Sequence, residues 1–284
     1  GTVWKRAYKS PYGRPDVTGG RPVEVTIFPE ANHGKFLATL DTPVAIEGVR
    51  SRQWTDGTFL FRRSAKKPQS YRIKANLNGS LRADPGIVGE PYLQLPADVS
   101  PRTRQAARSL VASTAGREQK IEKIKEFFRE RQLVYATDDL PLVDDPIDNF
   151  IFASKRGYCE YFASAFAIML RETGVPARLV GGYLGGTFNP LGGYYIVGEK
   201  NAHVWVEVLN RQGEWLRIDP NLYAVNAETS LLARSLQQRP GWQQMADAID
   251  YYWTQVVITF DFARQLQFLK SARKKIGDWR RSDT

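Results

Sequence analysis

The chain carries a single cysteine, Cys159, followed along the sequence by a histidine, His203, and an aspartate, Asp219. A thiol, an imidazole and a carboxylate are the parts of a cysteine-based catalytic site: a nucleophile, a base and a group that orients the base. The second histidine, His33, lies in an Asn-His-Gly sequence that predicts a turn. The three downstream residues are therefore the candidates for acyl chemistry, and His33 is not.

The cysteine stands at the start of a predicted helix. Residues 160–173 place apolar side chains at a helical spacing, and Gly174 and Pro176 follow as a stop signal. The first turn of a helix offers unpaired backbone N–H groups and the positive end of the helix dipole, which favour a thiolate. Gly157, just before the cysteine, permits close approach of a backbone or a substrate.

The histidine and the aspartate fall on two predicted strands. Residues 203–209 alternate between valines on one face and His203, Trp205 and Glu207 on the other. Residues 215–219 alternate in the same way, and the Asn-Arg-Gln-Gly segment between the two runs is typical of a turn. The sequence therefore predicts a β-hairpin.

The apolar residues of the hairpin also predict how its strands pair. If Val206 lies opposite Leu216, the apolar side chains of both strands share one face, whereas a slip by one residue would separate them. In this register His203 faces Asp219 directly, with Cβ atoms about 4.5–5.5 Å apart. A contact between His203 and Cys159 depends on how the helix packs, and the pattern does not predict it.

Three further side chains accompany His203 on the polar face of the predicted hairpin. Trp205 and Trp215 are interpreted as packing residues or as walls of a cleft. Glu207 lies diagonal to Arg217 in the expected register, so we expect these two charges to pair rather than to take part in chemistry.

Four motifs together resemble the transglutaminase-like superfamily, and in particular the extracytoplasmic domain of bacterial TgpA-type protein-glutamine gamma-glutamyltransferases. They are the cysteine motif, the Gly-Val-Pro-Ala-Arg motif, the histidine motif and the aspartate motif, at residues 157–166, 174–183, 202–208 and 215–220. The resemblance implies that Cys159 is the nucleophile, His203 the general base and acid, and Asp219 the orienting residue. Two positions depart from the family pattern, which often has histidine where Tyr161 stands and threonine where Asn221 stands.

The implied activity is transfer of a glutamine acyl group to a primary amine through a thioester on Cys159. A cysteine peptidase, an amidase or a deamidase would use the same three residues, and a non-catalytic interaction module is the remaining alternative. The Cys159 backbone N–H is a candidate oxyanion donor, with Tyr135 or Asn149 as candidates for a second one. No metal and no organic cofactor is expected.

The fold class expected for the chain is α+β. The resemblance implies a papain-like core in which the cysteine helix packs on an antiparallel sheet that carries the histidine and the aspartate. We expect a β-rich, sandwich-like N-terminal domain at 1–97, the catalytic core at 98–225 and a helical C-terminal extension at 226–284. Within them the sequence predicts strands near 23–28, 44–49, 59–63 and 71–76, and helices at 102–114 and 117–131.

The formal charge of +10 suits an anionic partner. A solvated basic surface is the simpler interpretation, and no nucleic-acid motif accompanies the charge. A single cysteine excludes internal disulfides and a cysteine-cluster zinc site. The chain contains no apolar run long enough to span a membrane. The resemblance nevertheless implies a membrane-anchored bacterial protein with this part in the periplasm, acting on protein or peptide substrates, and the cationic, aromatic C-terminal stretch suits a membrane interface.

Overall fold

The structure of the chain is a computed structural model. It describes residues 12–29, 36–62, 69–85, 90–114 and 116–230. His33 and nearly all of the predicted C-terminal helical extension lie outside the described residues. The chain divides into two compact units, the first made of Gly1–Leu184 with Glu199–Arg234 and the second of Gly185–Gly198 with Ser235–Thr284.

The structure describes four α-helices, all in the first unit. They are α1 (Pro101–Leu110), α2 (Arg117–Glu130), α3 (Pro146–Phe152) and α4 (Cys159–Glu172). Helix α1 starts one residue before the predicted bound, because Ser100 caps it: the Ser100 hydroxyl accepts a hydrogen bond from the Thr103 N–H at 3.0 Å. It ends at Leu110, earlier than the sequence pattern indicates. Within the described ranges, no helix has the length and apolar character needed to cross a bilayer.

Fifteen strands are present in the described ranges. Those before the first helix are β1 (Val17–Thr18), β2 (Arg21–Ile27), β3 (Phe36–Leu37), β4 (Pro43–Glu47), β5 (Ser51–Gln53), β6 (Phe59–Phe61), β7 (Tyr71–Leu77) and β8 (Ser80–Arg82). The later ones are β9 (Val134–Tyr135), β10 (Arg156–Gly157), β11 (Ala177–Tyr183), β12 (Thr187–Asn189), β13 (Tyr194–Ile196), β14 (Ala202–Leu209) and β15 (Glu214–Ile218).

The main sheet has five strands in the order β1-β8-β15-β14-β11, and every neighbouring pair is antiparallel. Its two outer strands on one side, β1 and β8, come from the first hundred residues of the chain. The segment 1–97 thus supplies part of the sheet that carries His203, in addition to strands of its own. The expected boundary at residue 97 stays a prediction.

The remaining early strands form two small sheets, β2-β7-β4 and β3-β6-β5. They share a compact apolar cluster that includes Phe59, Tyr71 and Ile73, which are at most 3% exposed. Pairing of β2 with β7 runs over seven residues from Arg21↔Leu77 to Ile27↔Tyr71. The four strands predicted from sequence in this region are all found, within a few residues of the expected bounds.

Helix α4 is the centre of the main core. Ten of its residues are buried, and Phe162, Phe166, Met169 and Leu170 have no exposed surface. One face of the sheet packs against it through Val206, Val208 and Ile218, and α1, α2 and α3 pack around it. The predicted arrangement, a cysteine-bearing helix on an antiparallel sheet, is confirmed.

The described part of the second unit is a hairpin of β12 and β13. The two strands pair from Thr187↔Ile196 to Asn189↔Tyr194. Phe188 and Tyr195 face each other across the hairpin with ring centroids 5.0 Å apart, and both side chains are exposed.

Candidate active site

Cys159 is the first residue of α4 and is 8% exposed. The chain reaches it through β10, which pairs in parallel with β9 so that Gly157 lies beside Tyr135. A Cβ on Gly157 would approach the Tyr161 Cβ to 2.7 Å and the Phe150 ring to 2.9 Å, so only glycine fits at this position. The approach to the cysteine is therefore fixed by close packing.

Tyr161 occupies the position where the resemblance led us to expect histidine. Its ring packs against Phe150 with centroids 5.8 Å apart and edge-to-face against Tyr158 at 5.1 Å. An aromatic side chain here therefore holds the turn that precedes Cys159. That contact explains the departure in structural terms.

His203 and Asp219 are hydrogen-bonded, with Nε2 and Oδ2 2.7 Å apart. The His203 side chain has no exposed surface and that of Asp219 is 10% exposed. The predicted neighbourhood of the two residues is thus found, although the strand pairing that brings it about differs from the prediction.

The predicted register of the hairpin is wrong by two residues. Val206 pairs with Ile218 instead of Leu216, and Val208 pairs with Leu216. A slip of two residues keeps every side chain on its expected face, because side chains alternate with a period of two. The two triad candidates are consequently diagonal neighbours on the sheet, not directly opposite ones.

The second oxygen of Asp219 is held by Asn221. Oδ1 accepts hydrogen bonds from the Asn221 Nδ2 at 2.7 Å and from its backbone N–H at 3.1 Å. Asn221 is buried and lies in a short 3₁₀ turn, Pro220–Tyr223, that Asp219 caps. Both carboxylate oxygens of Asp219 thus have fixed partners. The resemblance indicated only that Asn221 stands where the family often has threonine, and it did not indicate this role.

The electrostatics of the pair favour a charged imidazole. Burial lowers the pKa of His203, but hydrogen bonds and charges from Asp219 and Cys159 outweigh it and raise that pKa to about 9. Burial raises the pKa of Asp219, but hydrogen bonds to His203 and Asn221 prevail, and the pKa ends below its ordinary value. At neutral pH the pair is therefore an imidazolium and a carboxylate.

Although burial lowers the pKa of His203, Cys159 lies near enough to the imidazole for its thiol to help Asp219 raise that pKa. Nε2 of the imidazole is engaged by Asp219, so Nδ1 is the ring nitrogen available to the thiol. The sequence pattern did not predict this proximity, which places all three candidates in one region of the fold.

Glu207 lies directly opposite Arg217 in the β14–β15 ladder, but its ion pair is with Arg178 and not, as expected, with Arg217. It accepts a hydrogen bond from Arg178 on β11, with Nε and Oε2 2.8 Å apart. Burial lowers the pKa of Arg178, but Glu207 outweighs it and raises that pKa above its ordinary value. Arg217 instead pairs with Asp41 in the N-terminal segment. Arg178 lies on β11, outside the predicted hairpin, so the pattern of the hairpin could not indicate Arg178 as the partner of Glu207.

Trp205 and Trp215 are both packing residues, each 6% exposed. Each lies under an arginine: Arg217 is 4.1 Å from the centre of the Trp205 ring, and Arg178 is 4.3 Å from that of Trp215. The alternative interpretation as walls of an open cleft does not fit their burial.

The two candidates for a second oxyanion donor lie in different surroundings. Tyr135 is buried beside Gly157 and stacks on Phe162. Its backbone is held on both sides by Asn226, which accepts from the Tyr135 N–H at 2.9 Å and donates to its carbonyl at 3.0 Å. Asn149 lies in α3. The donor role of either residue stays a prediction.

A metal centre is not indicated in the part of the chain that the structure describes, because no group of three His, Cys, Asp or Glu side chains there is placed to hold an ion.

Comparison with known proteins relates this site to one family. Residues 104–220 match the family model of the transglutaminase-like superfamily. A protein-glutamine gamma-glutamyltransferase from Pseudomonas aeruginosa is 30% identical over 199 residues, which is 63% of this chain and 30% of that protein. An uncharacterised Bacillus subtilis protein, YebA, is 33% identical over 136 residues, which is 45% of this chain and 18% of that protein.

A solved structure has the same fold. The crystal structure of the periplasmic domain of TgpA from Pseudomonas aeruginosa superposes with a TM-score of 0.69 at 26% identity, covering 78% of this chain and 77% of that one. The expected fold class is thereby confirmed. The chain spans less than a third of the length of the two curated relatives it matches.

Proposed function

Because residues 104–220 form a transglutaminase-like domain, we propose that this chain is the extracytoplasmic catalytic part of a protein-glutamine gamma-glutamyltransferase. The observation that carries the proposal is the 2.7 Å hydrogen bond between His203 Nε2 and Asp219, in a chain whose one cysteine begins the central helix α4 and helps raise the pKa of that histidine. This is the arrangement that a thiol nucleophile, a proton carrier and an orienting carboxylate require.

The acylation step uses the charged imidazole. Cys159 as thiolate attacks the carboxamide carbon of a glutamine side chain and forms a tetrahedral intermediate. The C–N bond then breaks, the His203 imidazolium donates its Nδ1 proton to the departing nitrogen, and ammonia leaves. The product is a thioester between Cys159 and the glutamyl group.

The deacylation step runs through the same groups. A neutral primary amine attacks the thioester carbon while Nδ1 of His203 accepts the proton that the amine loses. The C–S bond breaks, an isopeptide bond remains on the substrate, and Cys159 returns to the thiolate. Water in place of the amine would give glutamate, so exclusion of water decides between transfer and deamidation.

Asp219 and Asn221 keep the imidazole in one orientation throughout the cycle. Nε2–H of His203 donates to Asp219, and the carboxylate cannot rotate because Asn221 donates twice to its other oxygen. The Cys159 backbone N–H lies at the start of α4, where it has no intrahelical partner, and would stabilise the oxyanion. Tyr135 and Asn149 are the proposed sources of a second donor.

Substrates and location follow from the relatives as proposals. The protein from Pseudomonas aeruginosa is named for its action on protein glutamine, and we extend that substrate class to this chain. The similarity to a periplasmic domain supports an extracytoplasmic site of action, with the longer protein anchored in the inner membrane.

The test is incorporation of a labelled primary amine into a glutamine-containing protein, with ammonia release followed in parallel. Cys159→Ala should abolish both signals. Ser164→Ala, a similarly small change at a buried position of the same helix, should retain both. Cysteine-dependent ammonia release without incorporation would replace the proposal by a deamidase. Absence of both signals from the folded wild-type chain would overturn it.

A further inference from the structure

Trp205 lies beside the triad without belonging to it. It follows His203 by two positions in β14, and the two rings stack at an interplanar angle of 28° with centroids 6.5 Å apart. Both residues are almost wholly buried. The imidazole therefore shares a packed environment with the indole, where a change of one ring restricts or frees the other.

The indole is seated on Gly182. This glycine pairs with His203 across the β11–β14 ladder. A Cβ at Gly182 would lie 2.7 Å and 3.0 Å from two carbons of the Trp205 ring. The absence of a side chain opposite His203 thus makes the space that the indole fills, and the ring has no freedom to move toward β11.

Arg217 closes the indole from another direction. Its guanidinium lies 4.1 Å from the ring centre, and it is ion-paired with Asp41. Asp41 lies two residues before β4, so a residue from the N-terminal segment fixes the arginine that covers Trp205. The contacts run from Asp41 through Arg217 and Trp205 to His203.

The indole N–H has no hydrogen-bond partner among the described residues, although the atom is buried. An unpaired buried donor destabilises a fold. Hydrogen bonding therefore does not explain a tryptophan here, and the feature left to explain it is the shape of the ring itself.

We propose that Trp205 is a positioning residue whose ring, seated on Gly182 and covered by Arg217, fixes the plane of the His203 imidazole between Cys159 and Asp219. The catalytic consequence rests on the proposed function, since it requires His203 to be the proton carrier. The geometric consequence does not. The ionisable groups that act on His203 are Cys159 from α4 and Asp219 at the end of β15.

Trp215 provides a matched control. It has the same exposure as Trp205, it lies in the same sheet, and it is likewise covered by an arginine. Its ring neighbour is Tyr92, with centroids 4.8 Å apart, instead of the histidine. A change common to Trp205→Leu and Trp215→Leu reports loss of packing, whereas a change confined to Trp205→Leu reports an effect on His203.

The first measurement is an NMR titration of the histidine ring protons, which is simple because the chain has two histidines. His203→Gln identifies the His203 signal. In Trp205→Leu we expect the pH midpoint of the His203 titration to fall from its raised wild-type value toward the ordinary value of about 6.5. The reason is that a less restrained imidazole makes weaker hydrogen bonds. Trp205→Phe, which keeps an aromatic ring, should restore much of the difference.

Two results would overturn the proposal: an unchanged midpoint in folded Trp205→Leu, or an equal shift in folded Trp215→Leu. If Trp205→Leu does not fold, the comparison is made between Trp205→Phe and Trp215→Phe, with a smaller shift expected only in the former. This titration needs no catalytic activity, so it separates failure of the positioning role from failure of the proposed function.

The kinetic counterpart is amine transfer at saturating substrate. A misplaced catalytic group costs up to about 100-fold in rate, so Trp205→Leu should lower kcat by at least about tenfold with little change in KM. Trp215→Leu should change kcat much less. A loss confined to KM in Trp205→Leu would contradict the proposal and assign the indole to substrate binding.

Discussion

The two faces of the β14–β15 ladder are both largely covered, yet by different kinds of contact. The face against α4 is apolar, with Val206, Val208 and Ile218 in the main core. The opposite face carries aromatic rings under arginines and the largely, but not fully, buried pair of Arg178 and Glu207. We infer that the α4 face supplies most of the fold's stability, whereas the arginine-covered face is specialised for holding side chains in fixed positions.

The largest expected effect lies on the α4 side. Phe166 has no exposed surface and packs edge-to-face on Phe128 with centroids 5.1 Å apart. Phe166→Ala should lower the free energy of unfolding by about 3–5 kcal/mol, because it removes buried area and leaves a cavity. Urea denaturation measures the loss, and Phe188→Ala on the exposed hairpin should stay within about 0.5 kcal/mol. Equal losses in both variants would contradict the central role of α4.

A slightly smaller effect is expected on the arginine-covered face. Glu207→Ala should cost about 3 kcal/mol, because it leaves the Arg178 guanidinium buried without its carboxylate. The double variant Arg178→Met with Glu207→Leu should recover most of the stability, since it removes both charges. If the double variant is as unstable as Glu207→Ala, the loss arises from packing, and the contrast between the two faces disappears.

His203 and Asp219 contribute a pH-dependent stability to the same face. The pKa of His203 is about 9 in the folded chain, above the ordinary value of about 6.5, so protonation favours folding. This contribution is fully present below about pH 6.5 and is lost as the pH rises through about 9. The lowered pKa of Asp219 acts in the opposite sense: its contribution is present above its ordinary pKa and is lost as the pH falls through the folded value.

The free energies of unfolding of the wild type and of His203→Gln should therefore converge as the pH rises from about 6 to above 9. The free-energy difference between the two chains at each pH is the quantity to follow. A difference that stays constant over this range would show that the histidine is not held as an imidazolium.

The smallest expected effect concerns the second oxygen of Asp219. Asn221→Ala removes the 2.7 Å side-chain hydrogen bond but keeps the backbone one. We expect kcat for amine transfer to fall by about tenfold, which corresponds to about 1.4 kcal/mol, with little effect on stability measured by urea denaturation. Asn221→Thr, which offers a hydroxyl donor, should have a kcat between those of the wild type and Asn221→Ala. A wild-type kcat in Asn221→Ala would show that the backbone N–H alone holds the carboxylate.

The face that each residue occupies was predictable from the sequence, but the predicted register of the hairpin was wrong. Alternation fixes only whether a residue is on one face or the other, and a slip of two residues is invisible to it. The turn contained the missing signal. Residues 211–213 form a three-residue loop between Asn210 and Glu214, whose backbones are hydrogen-bonded. Gly213 has a φ of 79°, as expected for glycine at the last position of such a loop. Asn210 closes that loop by accepting from the Glu214 N–H at 2.8 Å.

Local sequence patterns could not predict which residues cover the arginine-covered face. Polar and aromatic alternation in β14 resembles a solvated face, and nothing nearby in sequence indicates that Asp41 or Tyr92 will cover it. These contacts depend on the pairing of β8 with β15, which joins distant parts of the chain. In the same way, the proximity of Cys159 to His203 follows from how α4 packs, which no residue pattern within either element encodes.

The pairing of β8 with β15 also determines when the main sheet can form during synthesis of the chain. Thr18 on β1 hydrogen-bonds to Glu214, 196 positions away, and β8 reaches its partner only after α4 and β14 have been synthesised. Until β15 leaves the ribosome, β8 exposes an unsatisfied strand edge that invites pairing with other chains. Among the strands that the structure describes, β15 is the last to be synthesised, and it is also the one that brings Asp219 to His203. The nascent protein thus acquires its charge-paired histidine in the same step that closes its main sheet.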